Sequence, residues 1–228
     1  MALKWLLYDL DNTLLDFDSG AEKSLNETFE EFELKNKQAL IASYHQVNHR
    51  CWQRFEQGEI DIPTLKRLRF ELFVTENSLD MNPAMLNRSY LTRLSQQVKE
   101  IDGARTLLDQ SHRRFDLVLV TNGFAEVQHP RIERSGLRSY FKHVIISEEI
   151  GSNKPSVSFF EHAFRLMEQP ERDQVMIIGD SLSSDIKGGS DFGIKTCWFN
   201  PKKMENTSPV IPDHTVESLE LIPGLWSL

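Results

Sequence analysis

The 228-residue sequence has little cysteine: Cys51 and Cys197 stand far apart, without the close spacing of a metal or redox pair. That excludes a disulfide-stapled scaffold and suits a reducing compartment, so a cytoplasmic location is predicted. No apolar run approaches the roughly 20 residues that cross a bilayer. The N-terminal run is short, carries Asp9 and Asp11, and lacks a small-residue cleavage site, so it does not read as a signal peptide. Positive charge is not in excess either. The 26 Lys and Arg face 34 Asp and Glu, a net charge of −8, which argues against polymeric nucleic acid or an anionic membrane as partner. A small phosphorylated metabolite remains compatible, because a metal ion and one lysine invert the potential locally. There is no internal repeat and no glycine-rich phosphate loop; Gly188-Gly189 lacks the spacing and reads as close helix packing.

What the chain does have is Trp5-Leu6-Leu7-Tyr8-Asp9-Leu10-Asp11-Asn12-Thr13. The apolar run predicts a buried strand of a mostly parallel sheet. It ends in two carboxylates one residue apart, a spacing that points both the same way on a strand. Such crowding is unfavourable unless one group is protonated or a cation sits between them. Thr13 adds a hydroxyl expected to face a phosphate.

After Thr13 the period changes to that of helices. Ser19-Gly20-Ala21-Glu22 has the form of a capping box, with Leu25, Phe29 and Phe32 following at helical spacing. Tyr44, Val47, Cys51 and Phe55 continue the pattern, and Gly58 is placed to end that helix. Pro63 and the pair Asn82-Pro83 suit two further helix starts. Residues 16–97 therefore read as an all-helical insertion, and residues 1–15 with 98–228 as the core. From Gly103 onward helices alternate with the short apolar runs 117–120, 144–146, 175–178 and 195–199, the pattern of a doubly wound, Rossmann-like α/β domain with a parallel sheet. Asn200 to Asp213 reads as a surface loop.

Ligands in such sheets bind beyond the strands' carboxyl ends. The segments found there are Asp9, Asp11 and Thr13; Thr121-Asn122-Gly123; Lys154-Pro155; and Gly179-Asp180-Ser181 with Asp185. Together they can hydrolyse a phosphate monoester. Asp9 is the candidate nucleophile, and Asp11 the acid for the departing oxygen and the base for water. Asp180, Asp9 and a backbone carbonyl near Asp11 make an all-oxygen set suited to Mg²⁺, with Asp11 and Asp185 as further candidates. Thr121, the Asn122 amide, Gly123 and Lys154 face phosphate, and Asp185 is placed to hold the lysine or a metal-bound water.

These four segments, in this order, resemble the four motifs of haloacid dehalogenase-like phosphatases. The helical insertion then resembles that superfamily's cap. Further stretches are similar to the pyrimidine 5′-nucleotidase branch: Asn48 and Trp52 before Gly58-Glu59-Ile60, Thr121-Asn122-Gly123-Phe124, Ile146-Ser147-Glu148-Glu149, Asp185-Ile186-Lys187-Gly188-Gly189, and Cys197-Trp198-Phe199-Asn200. The resemblance implies a Mg²⁺-dependent nucleoside 5′-monophosphate phosphatase, monomeric or a weak dimer. A sugar-phosphate phosphatase or mutase and a non-catalytic binding module are the alternatives, while Asp11 argues against dehalogenation.

Asn48 and Trp52 share a helix face and offer a base edge a hydrogen bond and an aromatic surface, with Phe17 at the hinge as part of the same wall. Cap core is the competing reading of Trp52. His45 and His49 stand at i, i+4 without a third ligand and read as surface residues. Pro130 departs from the family pattern and predicts either a kink or a helix that begins only near it.

Overall fold

In the computed structural model, which describes residues 2–227, the apolar runs form one six-stranded sheet. Its strands are β1 (Trp5–Tyr8), β2 (Asp116–Thr121), β3 (His143–Ile146), β4 (Val175–Gly179), β5 (Lys195–Phe199) and β6 (His214–Val216). They lie in the order β3-β2-β1-β4-β5-β6, with every neighbouring pair parallel. The period-2 geometry of a strand sends alternate side chains to opposite faces. Leu6, Tyr8, Leu117, Leu119, Met176 and Ile178 meet one layer of helices, and Leu7, Val118, Val120, Val175 and Ile177 meet another. Both faces are therefore covered, which is why these strands read as continuous apolar runs rather than as alternation.

The first layer is α5 (Ala104–Ser111) and α6 (Ala125–Ser135), contributing Leu107, Leu108 and Ile132. The second is α8 (Val157–Leu166) and α9 (Lys187–Phe192), contributing Phe159, Phe160 and Phe192; the single turn α7 (Ser147–Ile150) follows β3. Gly188 fits because an added Cβ would meet Phe160 at 2.5 Å, so close helix packing explains the glycine pair.

Between β1 and α5 lie α1 (Phe17–Glu31), α2 (Lys37–Glu56), α3 (Ile62–Glu76) and α4 (Pro83–Leu94), which pack around their own core of Phe29, Tyr44, Phe70 and Phe73. Phe29 and Phe73 stack at 5.4 Å. Each such side chain fully buried contributes about 1.5–3 kcal/mol relative to exposure. Phe124 and Val127, at the start of α6, belong to this same cluster and seat the helical layer on the sheet unit. Lys66 of α3 reinforces the seat, pairing with Glu126 at 2.8 Å and Glu148 at 2.7 Å.

Local signals set most helix ends. Asp61 and Asn82 cap α3 and α4, accepting from Thr64 N and Ala84 N, with Pro63 and Pro83 in the first turns. Gly58 follows α2 at φ +74, a conformation glycine adopts without strain. The capping box predicted at Ser19–Glu22 is corrected: α1 is capped by Asp16, whose carboxylate accepts from Ser19 N at 3.1 Å. Ser19 is thus the third helical residue, not the cap.

Of the two outcomes expected at Pro130, a kink or a late helix start, the late start is ruled out, since α6 begins at Ala125 and includes the proline. Pro130 offers no N–H to the Glu126 carbonyl, but Glu126 lies on the exposed side, where water can substitute. Two elements near the C-terminus are among those with no sequence expectation behind them. β6 is three residues long, and Leu219–Ser227 is a 3₁₀ segment, both beyond the Asn200–Asp213 loop. Among the described residues no helix is long and apolar enough to cross a membrane.

Candidate active site

The strand order reverses between β1 and β4, and crevices in open α/β sheets form at such a point. A cavity of about 410 Å³ lies there, with Asp9, Lys154 and Asp180 at its sheet end and Asn48, Trp52 and Arg69 at its helical end.

Asp9, 6% exposed, directly follows β1. Lys154, 1% exposed, donates from Nζ to Asp9 Oδ1 at 2.6 Å, Asp185 Oδ1 at 2.6 Å and the Val120 carbonyl at 3.1 Å. The three ammonium donors are thereby all used. The lysine is held from behind by Asn122, whose side chain donates to Lys154 O at 2.8 Å and accepts from Lys154 N at 2.9 Å. Asp185 reaches the lysine because position 179 is glycine; a Cβ there would lie 2.2 Å from Asp185 Oδ2.

Burial pushes the Asp9 carboxyl up to about 7 against the pull of Lys154, and the charges of Asp185 and Asp11 add to the rise. Asp180 is raised by burial and then by Asp9 and Asp185. Burial alone would lower Lys154, but Asp185 and Asp9 outweigh it and raise the ammonium group. One lysine among this many carboxylates leaves the cluster short of positive charge. Asp9, Asp180 and Asp185 each offer an oxygen within 4.8 Å of the other two, the only such group of three among the described residues. An all-carboxylate, oxygen-only donor set fits a hard divalent cation such as Mg²⁺ and does not fit a thiophilic one.

Asp11 lies apart from that cluster. Its carboxylate accepts from Gln128 Nε2 at 2.7 Å and is paired with Arg131, so the structure does not bring it into the metal group as a side-chain ligand. Gln128 Nε2 also donates to Thr121 Oγ1 at 2.8 Å, and Gly123 N donates to the same oxygen at 3.1 Å. The Thr121 hydroxyl is left with its own proton to donate. Thr13 departs from expectation: it is fully buried, is not part of the cavity wall, and its hydroxyl has no partner. The chain turns at Asn12, φ +58, which ends the strand alternation that would have aimed Thr13 with Asp9 and Asp11.

At the helical end, Phe17, Asn48 and Trp52 all line the cavity, as do the exposed His45 and His49 at its mouth. Trp52 is half-buried, stacks on Phe124 at 5.6 Å and meets Phe55 edge-on at 5.7 Å, so it belongs to cavity wall and helical core together. Three polar residues in these contacts escaped the sequence reading. Gln128 and Arg131 stand at i, i+3 beside Val127 and Ile132, polar groups on the buried face of α6. Arg69 interrupts the stripe Leu65, Phe73 on α3. Polar residues within an apolar stripe are the signal that could have found all three.

Comparison with known proteins agrees with this architecture. Residues 6–199 match the haloacid dehalogenase-like hydrolase family. The chain is 34% identical to the HAD-hydrolase YfnB of Bacillus subtilis, covering 94% of this chain and 92% of that one. It is 33% identical to pyrimidine 5′-nucleotidase YjjG of Escherichia coli, covering 99% and 98%. It is 34% identical to pyrimidine 5′-nucleotidase PynA of Streptococcus pneumoniae, covering 96% and 93%. A crystal structure of YfnB, bound to magnesium, superimposes over all of both chains with a TM-score of 0.93 at 32% identity. The chain is an enzyme of the haloacid dehalogenase-like hydrolase family.

Proposed function

We propose that the enzyme is a Mg²⁺-dependent phosphomonoesterase of nucleoside 5′-monophosphates, with pyrimidine nucleotides preferred to purine ones. The observation that carries this reading is the Lys154 bridge between Asp9 and Asp185, beside Asp180, at the foot of a cavity with an aromatic roof. The similarity to YjjG and PynA supports the substrate class. In the first step an Asp9 oxygen attacks phosphorus while the bond from phosphorus to the nucleoside 5′-oxygen breaks. Asp11, as the acid, gives its proton to that oxygen and the nucleoside leaves. Asp11, now a carboxylate, takes a proton from water, whose oxygen attacks the phosphorus. The bond to Asp9 breaks, restoring its carboxylate and releasing phosphate.

The Thr121 hydroxyl donates to a phosphate oxygen, the Lys154 ammonium, fixed between Asp9 and Asp185, supplies positive charge beside it, and Gln128 and Arg131 keep Asp11 oriented. Asp9, Asp180 and the backbone carbonyl of Asp11 would hold Mg²⁺, while Asp185 holds the lysine. The ion, when bound, supplies positive charge against the phosphate oxygens. Because the core handles only phosphate, selectivity falls to the helical cap, where Phe17, Asn48 and Trp52 stand over the site. The test is kcat/KM for uridine, thymidine and adenosine monophosphates against hexose phosphates. A hexose-phosphate preference overturns the substrate, and full activity in excess chelator overturns the metal.

A further inference from the structure

Arg69 is 3% exposed and lines the helical end of the cavity. Its Nη1 donates to Asn48 Oδ1 at 3.0 Å and Tyr44 Oη at 3.1 Å, while Nε and Nη2 have no hydrogen-bond partner. No carboxylate pairs with it among the described residues. Its charge rests instead on an aromatic face, with the guanidinium carbon 4.8 Å from the Phe124 ring centre. A buried cation with unmet donors is costly. A native fold keeps such a group where something else supplies the acceptor.

The surroundings say which acceptor. On the reading above, phosphate lies at the opposite end of the cavity, beside Asp9 and Lys154. Beside Arg69, Trp52 is stacked on Phe124, 19° from parallel, and the half-buried indole gives the cavity an aromatic surface against which a planar ring can pack. Asn48, its Oδ1 turned to Arg69, keeps both amide N–H donors, so the unmet donors of both residues call for an oxygen or ring-nitrogen acceptor. The C2 carbonyl is the acceptor that uracil, thymine and cytosine share and adenine lacks.

We propose that Arg69 determines base specificity, donating from its free guanidinium nitrogens to the C2 carbonyl of a pyrimidine nucleotide and fixing the Asn48 amide beside it. This rests on the nucleotidase reading above. The same contact gives a chemical basis for selecting pyrimidine over adenine, in addition to the size of the closed cavity.

The experiment compares the unmodified enzyme with Arg69→Met, which keeps the length and removes the donors, and Arg69→Lys, which keeps the charge without the fork. Substrates are uridine 5′-monophosphate, ribose 5-phosphate and an aryl phosphate. In Arg69→Met, kcat/KM for the nucleotide should fall about 10- to 100-fold, the span of a hydrogen bond to a charged group. The other two substrates should stay within about twofold, the signature of lost binding to one part of the substrate. Arg69→Lys should fall between, and it decides the matter alone if Arg69→Met does not fold. If the unmodified enzyme turns over ribose 5-phosphate as well as the nucleotide, the nucleotidase reading fails and takes this one with it. If it prefers the nucleotide and both variants keep that preference, the Arg69 assignment alone is overturned. Equal losses on all three substrates would also overturn it, as a structural or phosphate-binding role.

Discussion

Two buried cations stand at opposite ends of one cavity. Lys154 spends its donors on two carboxylates and a carbonyl. Arg69 has a tyrosine, an asparagine and two unmet nitrogens. The sheet end is built around charges that hold one another in place, as a site needs if its groups are to be preorganised for chemistry. The helical end leaves hydrogen-bonding capacity open, as a site needs if it is to discriminate between guests. One end satisfies its own donors, and the other leaves two of them unmet.

The largest expected effect lies at the finished end. Asp9→Asn keeps the shape and removes the proposed nucleophile, so kcat should fall on the order of 10⁶-fold, the scale seen when a covalent nucleophile is lost. Chelation should abolish turnover and added Mg²⁺ restore it. Phosphate release by the Asp9→Asn protein at an appreciable fraction of the normal rate, on a generic aryl phosphate, would remove the covalent step from the mechanism.

The contrast between the cations is next tested through stability. Lys154→Met leaves Asp9 and Asp185 buried without their partner, and breaking a buried pair from one side costs about 3–5 kcal/mol. Arg69→Met removes a cation that has no carboxylate to strand, so its effect on unfolding should stay within about 1 kcal/mol of zero. Urea unfolding without added metal measures both. Equal destabilisation by the two substitutions would mean that Arg69 is as internally committed as Lys154, and the comparison would break.

The same contrast explains what the sequence could disclose. Short continuous apolar runs mark buried parallel strands, and a parallel sheet brings all their carboxyl ends to one side. Asp9, Thr121, Lys154 and Asp180 could therefore be assembled without seeing the fold. Thr13 could not be placed, because the chain turns at Asn12, φ +58, just before it. Helical periodicity assigned Asn48 and Trp52 to one face, but it does not say what that face meets. Arg69 needed α3 and α6 to be docked before Phe124 and the cavity came beside it. Gln128 and Arg131 likewise gain meaning only when α6 lies against the turn after β1.

Those two residues give the third test. Gln128 links Asp11 to Thr121, and Arg131 ties Asp11 to the Gln97 carbonyl at the return from the helical layer. Gln128→Ala should let Asp11 drift, lowering kcat about 10- to 100-fold, the cost of a small misplacement of a reacting group. KM should change little, and Arg131→Lys should lose less than Arg131→Met. A rise in KM with unchanged kcat would place these residues in substrate binding, on the open side of the comparison.

The smallest effect belongs to the joint between the two ends. Asp16 caps α1, accepts from Lys99 Nζ at 2.7 Å, and donates its own N–H to the Lys99 carbonyl at 2.8 Å, so it fastens together the two strands of chain that lead into and out of the helical layer. Partial burial would raise its carboxyl, but hydrogen bonds from Lys99 and Ser19 hold it down at about 2, against 3.8 for a free group. A carboxyl lowered in the folded state stabilises above its unfolded value, and that contribution fades as pH falls from about 4 through about 2. Asp16→Asn keeps a side-chain acceptor for the helix and removes only the charge. The variant should be less stable at pH 5–7, by less than the roughly 1 kcal/mol that loss of a cap costs, and the difference should shrink as pH falls from about 4 through about 2. Urea midpoints across that range would show it. A difference that stayed flat with pH would mean that the backbone bond to Lys99 alone holds the joint. Hydrolysis of an aryl phosphate should be unchanged in Asp16→Asn, because that substrate uses the sheet end and asks nothing of the helices above it.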